Sequence, residues 1–368
     1  MKTRNILPLL AAAALTLAGC SAPAPANPTP SSSDTPTATA SPSVGSSAAG
    51  PSGVDALALR GPATAATVPD VTAAVKIPQP VLPAKVKDAT GASVTVKSTD
   101  RILALDLYGT LTDTVIGLGL EEHLVGRSNS DTQAALKELP VVTQSGHDLN
   151  TEAVLNLNPT LILTNTTIGS EDKYRQLESV GVTVVRFDQT PGLDSIDDTI
   201  DAVGAAVGLP QEAKTLAART QKELDAATVT VNSLKANTPQ APRGAVLYVR
   251  GTAGVFFILG KDYGAADIID ALGLEDVAAE NGITQLKPAN AEALVTLDPE
   301  IILAMKDGVE SAGGVDGLLK RPGMAATTAG ANKRVITAAD GQLLAYGPRT
   351  PANLVALATA IYTEGEGK

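Results

Sequence analysis

The 368-residue chain predicts an α/β fold: two similar α/β lobes with parallel sheets, joined by one long helix, with a ligand cleft between the lobes. Three observations carry this. A segment occurs twice: Leu149-Asn150-Thr151-Glu152-Ala153-Val154-Leu155-Asn156-Leu157-Asn158-Pro159, closing on Leu161–Leu163, returns as Ala289-Asn290-Ala291-Glu292-Ala293-Leu294-Val295-Thr296-Leu297-Asp298-Pro299, closing on Ile301–Leu303. In each copy Asn caps a short helix, Pro breaks it, and an apolar run forms a buried strand. Strand and helix signals also alternate on both sides of the chain's middle, as βαβ units do. Finally, Gln211–Leu234 has no strand signal and reads as a single helical spine. Paired lobes leave a cleft, and clefts bind ligands.

Taken from the N-terminus, Lys2 and Arg4 precede an apolar run, Ile6–Ala18, too short to span a bilayer. The run ends in Leu17-Ala18-Gly19-Cys20, a bacterial lipobox, and Cys20 is the sole cysteine. Residues 1–20 are therefore expected to be a lipoprotein signal, with Cys20 acylated and anchoring the chain. A secretory signal that happens to contain a cysteine is the alternative. Without a second cysteine, disulfides and thiolate metal sites are excluded. Residues 21–82 are expected to form a tether and extension. Ser21 to Gly53 is Pro, Ser, Thr, Ala and Gly with almost no charge, a flexible coil reaching roughly 30 Å. Residues 54–82 lack clear periodicity and are left open between order and tether. A net charge of −11 and pI near 4.7 argue against nucleic acid as a partner.

The N-terminal lobe is expected over 83–209. Lys85–Val96 reads as a hairpin turning at Asp88–Gly91, followed by strand Ile102–Leu105, helix Leu111–Leu118 and strand His123–Gly126. After the first repeat copy come strand Leu161–Thr164, helix Glu171–Val180 and strand Thr183–Phe187. The spine and its linker occupy 210–240. The C-terminal lobe, 241–368, opens with strand Ala245–Val249 and helix Ala265–Leu272. The second copy follows, with strands Ile301–Met305 and Arg334–Thr337 and a last helix, Ala352–Tyr362. A rigid helix between lobes predicts modest rocking in place of wide closure.

From about Pro83 to Tyr362 the chain resembles the haemin- and siderophore-binding lipoproteins of ABC importers. The resemblance is carried by Arg101–Leu105, Leu118-Gly119-Leu120-Glu121-Glu122-His123-Leu124-Val125-Gly126-Arg127, both Asn-x-Glu-Ala copies, and Tyr346-Gly347-Pro348-Arg349-Thr350-Pro351. Through His147 and Tyr248-Val249-Arg250 it looks most similar to the actinobacterial haemin-binding lipoproteins. That resemblance implies capture of ferric haem outside the cell membrane, on the extracellular face of a Gram-positive bacterium. It also implies delivery to an ABC permease with its ATPase, and upstream haem-donor surface proteins as further partners.

The candidate site follows. His147, just ahead of the Asn150-capped helix, reads by itself as a surface loop histidine or a metal-ready imidazole, since a helix N-terminus disfavours imidazolium. Tyr248 and Arg250, two apart on a strand, share a face. A phenol ionises near pH 10, and bringing one to neutrality takes roughly 4 kcal/mol, which ferric iron and a nearby guanidinium can supply. Tyrosine is a known axial haem ligand. The resemblance implies His147 and Tyr248 as axial ligands, one from each lobe. Met305, at the end of its strand, is a candidate to pack on the porphyrin or a core filler, and Tyr108 is a similar candidate. Lys287, Arg127 and Arg349 are candidates for the propionates, or solvated charges. Glu152 and Glu292 place favourable charge at helix N-termini, and the resemblance implies that they dock on permease arginines. His123 reads as a surface residue.

Two rival functions remain. With two histidines and one lipidated cysteine, a three-histidine metal site cannot be built, so bound iron must bring most of its ligands, as haem or a ferric siderophore does. A siderophore binder of the same fold is the alternative. Leu105-Asp106-Leu107-Tyr108-Gly109-Thr110 also resembles the nucleophile motif of haloacid dehalogenase-like hydrolases, with Asp106 as nucleophile. The duplicated Asn-x-Glu-Ala unit has no place in that fold, so the expectation is a binding protein and not an enzyme.

Overall fold

The computed structural model describes residues 52–144, 147–188, 191–251 and 254–367. Cys20 and the predicted tether to residue 51 lie outside them. From residue 52 the chain runs as a packed strap. Val54 N–H donates to Tyr362 O at 2.8 Å, and strand β1 (Ala63–Thr64) adds in parallel beside Ile336–Thr337 at a sheet edge. Covering an edge in this way blocks strand addition by other chains. Further on, Asp70 accepts the amides of Ala134 and Ala135 at 3.0 and 2.8 Å, and Ala74 and Val81 donate to Gly117 and Gly208. The segment whose order the sequence left open thus reaches from the C-terminal lobe to the N-terminal one.

In the N-terminal lobe, β2 (Ala84–Lys87) and β3 (Ser93–Val96) form the expected hairpin, its turn closed by Asp88, which accepts from Thr90 and Ala92. Strand β4 (Ile102–Leu105) leads through Asp106 into helix α1 (Thr110–Gly117). Helix α2 (Thr151–Asn156) is capped by Asn150, which accepts Ala153 N–H at 3.1 Å. Then come β5 (Leu161–Thr164), α3 (Glu171–Ser179), β6 (Thr183–Arg186) and α4 (Ile196–Ala206). β4, β5 and β6 form a parallel sheet, and β4 and β5 are buried at every position, which is why they read as unbroken apolar runs. The expected strand at His123–Gly126 is not a ladder. Glu121–His123 makes a single 3-10 turn, and one bridge, Ile102 to Leu124, is what pairs there.

Helix α5 (Pro210–Lys235) is the 26-residue spine, started by Pro210 where a missing N–H costs nothing. The C-terminal lobe follows: β7 (Arg243–Arg250), β8 (Val255–Ile258), α6 (Ala265–Ala271), β9 (Lys287–Pro288), α7 (Ala291–Leu297), β10 (Ile301–Met305), α8 (Lys306–Ser311), β11 (Val335–Ala338), α9 (Asp340–Leu343) and α10 (Thr350–Thr363). Among the described residues its sheet runs β9-β8-β7-β10-β11-β1, with Glu275–Asp276 joining beside β7. β7, β10, β11 and β1 are parallel, but β8 pairs antiparallel with both β7 and β9, so this sheet is mixed where a parallel one was expected. The repeat is kept in detail. Asn290 accepts Ala293 N–H at 2.9 Å, as Asn150 does in its copy, and the residues before the two prolines, Asn158 and Asp298, both take left-handed backbone with φ of 47° and 38°.

Candidate functional site

Three neighbouring strands, β7, β10 and β11, end at the same edge of the C-terminal sheet, where open α/β sheets present ligand contacts. Tyr248 lies near the end of β7, half-buried against the lobe's core and opposite Phe257 of β8. Arg250, on the same face, places its guanidinium 4.9 Å from the Tyr248 ring centroid. It donates to Val249 O at 3.2 Å and forms an ion pair with Asp340, the first residue of α9. Burial raises the Asp340 carboxyl above the ordinary range, partly offset by Arg250. Gly308 of α8 lies under this arm: a Cβ there would fall 2.5 Å from Arg250 Nη1 and 2.3 Å from Val249 O. Asp340 and Gly308 were not found from sequence, because neither stands in a motif.

From the other lobe comes Tyr108, just past β4, buried in the C-terminal lobe's core cluster together with Met305. Its phenol is pushed well above the ordinary value by burial first, then by the nearby Tyr248 and Tyr263. Three phenols, one from the N-terminal lobe and two from the C-terminal, are thus brought together. His147 is exposed at the turn between Thr143–Gln144 and Asp148–Leu149, its carbonyl accepting Gly169 N–H at 2.8 Å. Beside it Asp148 pairs with Lys173 Nζ at 2.5 Å, which holds that carboxyl below its usual range.

Other candidates are placed differently. Arg349 is a correction. It is 5% exposed and its Nε donates to Asp113 Oδ2 at 2.8 Å, so it ties the lobes together and is not offered to a propionate. Met305 is 4% exposed and belongs to the same core cluster as Leu343, Leu344 and Tyr108. Arg127 is half-buried and donates to the carbonyls of Ser128 and Asp131 at 3.2 and 3.4 Å. Lys287 is exposed on edge strand β9. Glu152 and Glu292 are exposed in the first turns of α2 and α7. His123 donates from Nδ1 to Thr99 O at 2.7 Å, a structural contact.

Asp106 is 2% exposed, with its oxygens accepting the amides of Tyr108, Thr110 and Leu111 at 3.2, 3.1 and 3.0 Å. It caps α1 electrostatically, and burial chiefly lifts its pKa to about 6. A cavity of about 810 Å³ lies at the opposite end of β7 from Tyr248 and is lined by Asp270, Asp276, Glu280 and Glu300 around Arg243. Its carboxylates would repel an anionic ligand.

The sequence pattern of the "Periplasmic binding protein" family matches residues 106–340. The chain belongs to the periplasmic binding protein family. Its mixed α/β lobes are those of this family's haem-binding structures. The "heme binding protein HmuT" is 43% identical, with a TM-score of 0.81 over 84% of this chain and 100% of that one. Three HmuT variants match alike at 42%; in them a histidine, a tyrosine, or the arginine two positions past that tyrosine is replaced by alanine. The periplasmic heme-binding protein RhuT of Roseiflexus sp. RS-1 is 35% identical, with a TM-score of 0.65 over 72% and 98% of the two chains. The ABC transporter substrate-binding lipoprotein YvrC of Bacillus subtilis (strain 168) is 26% identical over 77% of this periplasmic binding protein and 87% of its own length. The family is one of substrate-binding transport proteins, and in this chain Asp106, from the motif that resembles a hydrolase, accepts backbone amides at the start of α1.

Proposed function

We propose that this protein captures ferric haem between its lobes and passes it to an ABC permease, with no chemistry done on the ligand. The observation that carries the reading is the Tyr248–Arg250 pair, a guanidinium stacked on a phenol at a strand end, in a chain 43% identical to a haem-binding protein. The tyrosine and arginine replaced in the HmuT variants stand two apart, as Tyr248 and Arg250 do. The donor set fits the ligand. A phenolic oxygen suits ferric iron as a ligand. Among the described residues no group of three or more His, Cys, Asp or Glu could hold a bare metal ion, so the iron's other ligands come with it. In this reading Tyr248 and His147 are the axial ligands, and Arg250 and Tyr108 support the site. Lys287, exposed on β9, is a cation available to the propionates.

Glu152 and Glu292 hold equivalent places on the two lobes, and in this reading both meet basic residues of the permease, whose ATPase drives uptake. Acylation of Cys20 would hold the protein at the outer face of the membrane, in keeping with the lipoprotein nature of YvrC.

Titration with haemin, followed by absorbance, tests the reading. The wild-type protein is expected to shift the Soret band and show a high-spin charge-transfer band. Tyr248→Ala should lose that band and bind more weakly. An unaltered spectrum in both His147→Ala and Tyr248→Ala would remove these residues from the iron.

A further inference from the structure

Arg250 cannot keep its place on the Tyr248 ring by itself. An arginine side chain has many rotamers to give up, and a cation–π contact at a half-exposed site does not by itself offset that loss. Two groups outside β7 restrict it. Asp340, 90 residues along the chain at the start of α9, takes the guanidinium by a direct ion pair, its own side chain 15% exposed. Gly308, on α8, leaves the lane through which the arm passes, since any Cβ there would stand 2.5 Å from Arg250 Nη1. The ends of β7, β10 and β11 thus contribute, in turn, the cation, the gap it crosses and the anion that stops it.

We infer that Asp340 is a positioning residue for the ligand site: acting through Arg250, it fixes the guanidinium on the face of the Tyr248 ring. The arrangement itself stands on geometry, and its consequence for haem rests on the function proposed above. Asp340 touches no ligand in this scheme. Its effect must therefore vanish when Arg250 is removed.

The test has two arms. In the first, ligand-free protein labelled with 13C-tyrosine is examined by NMR, the Tyr248 ring signal being assigned by its loss in Tyr248→Phe. Asp340→Asn should move that signal in the same direction as Arg250→Ala does, with Asp340→Glu moving it less. In the second, haemin affinity is measured for Asp340→Asn, Arg250→Ala and the double variant. Asp340→Asn is expected to bind roughly five- to tenfold more weakly than wild type, and the double variant no more weakly than Arg250→Ala alone. A Tyr248 signal unmoved in Asp340→Asn and in Asp340→Glu overturns the inference, as do losses that simply add in the double variant. If wild-type protein shows no Soret shift with haemin, it is the haem reading that goes, and the NMR arm still decides the role of Asp340.

Discussion

Three backbone amides at the start of α1 hold the Asp106 carboxylate, yet burial outweighs them and lifts its pKa from 3.8 to about 6. The folded protein therefore holds this proton more tightly than the unfolded chain. That contribution is complete below about pH 4 and is lost as pH rises through 6, a change on the order of 2–3 kcal/mol. Asp106→Asn keeps an acceptor oxygen and cannot ionise. Its NH2 must face one of these amides at every pH, so urea unfolding should find its stability relative to wild type rising by about 1–3 kcal/mol between pH 4 and pH 8. A difference that stays the same from pH 4 to pH 8 would mean that the carboxyl does not lose its proton in the folded protein over that range. Gly308→Ala makes a second case: its methyl would lie 2.3 Å from Val249 O, a backbone atom, so unfolding should show a loss of about 1–3 kcal/mol. At this scale the sequence was readable where function follows local spacing. Tyr248 and Arg250 share a face because a strand alternates. Arg349 was misread because its partner, Asp113, is 236 residues away and no local pattern announces it.

The two short helices α2 and α7 show which elements could be read in advance. Each begins at an Asn that accepts the amide three residues on, and each ends in a left-handed residue before proline. Asn150→Ala and Asn290→Ala should each cost about 1 kcal/mol in chemical denaturation. The effects should add, because the copies cap separate helices in separate lobes. Strands β4, β5 and β10 were legible from their apolar runs, since burial on both faces leaves no alternation to decipher. The proposed strand at His123–Gly126 was less so. Its residues suit a strand, but Glu121–His123 winds into a turn whose end His123 ties to Thr99, leaving Leu124 one bridge. The strap from residue 52 to 82 had no signal either, because its order comes from contacts with both lobes and not from any period of its own.

Across the whole molecule, the two lobes are pinned by more than the spine. Asp113 of α1 meets Arg349 at 2.8 Å, with both side chains almost wholly buried, and Gln133 Nε2 donates to the other carboxylate oxygen at 2.6 Å. Burial pushes the Asp113 carboxyl up despite its arginine, as expected of a pair kept from water. A second pin joins Leu193 N–H to Asp267 Oδ2 at 2.7 Å. Tyr346, carried by the C-terminal chain, packs in the N-terminal core and donates from its hydroxyl to Gly264 O. A frame held at three points keeps its site in shape before ligand arrives, in line with the limited rocking that a single spine allows. Removing one partner of the buried pair strands the other charge. Arg349→Met alone should thus cost about 3–5 kcal/mol in unfolding free energy, whereas Arg349→Met with Asp113→Leu should cost clearly less than the two single losses summed. The remaining pins should keep the lobes together, so small-angle scattering of Arg349→Met below its melting temperature should give the wild-type radius of gyration. An enlarged radius would show instead that this one ion pair holds the two lobes closed.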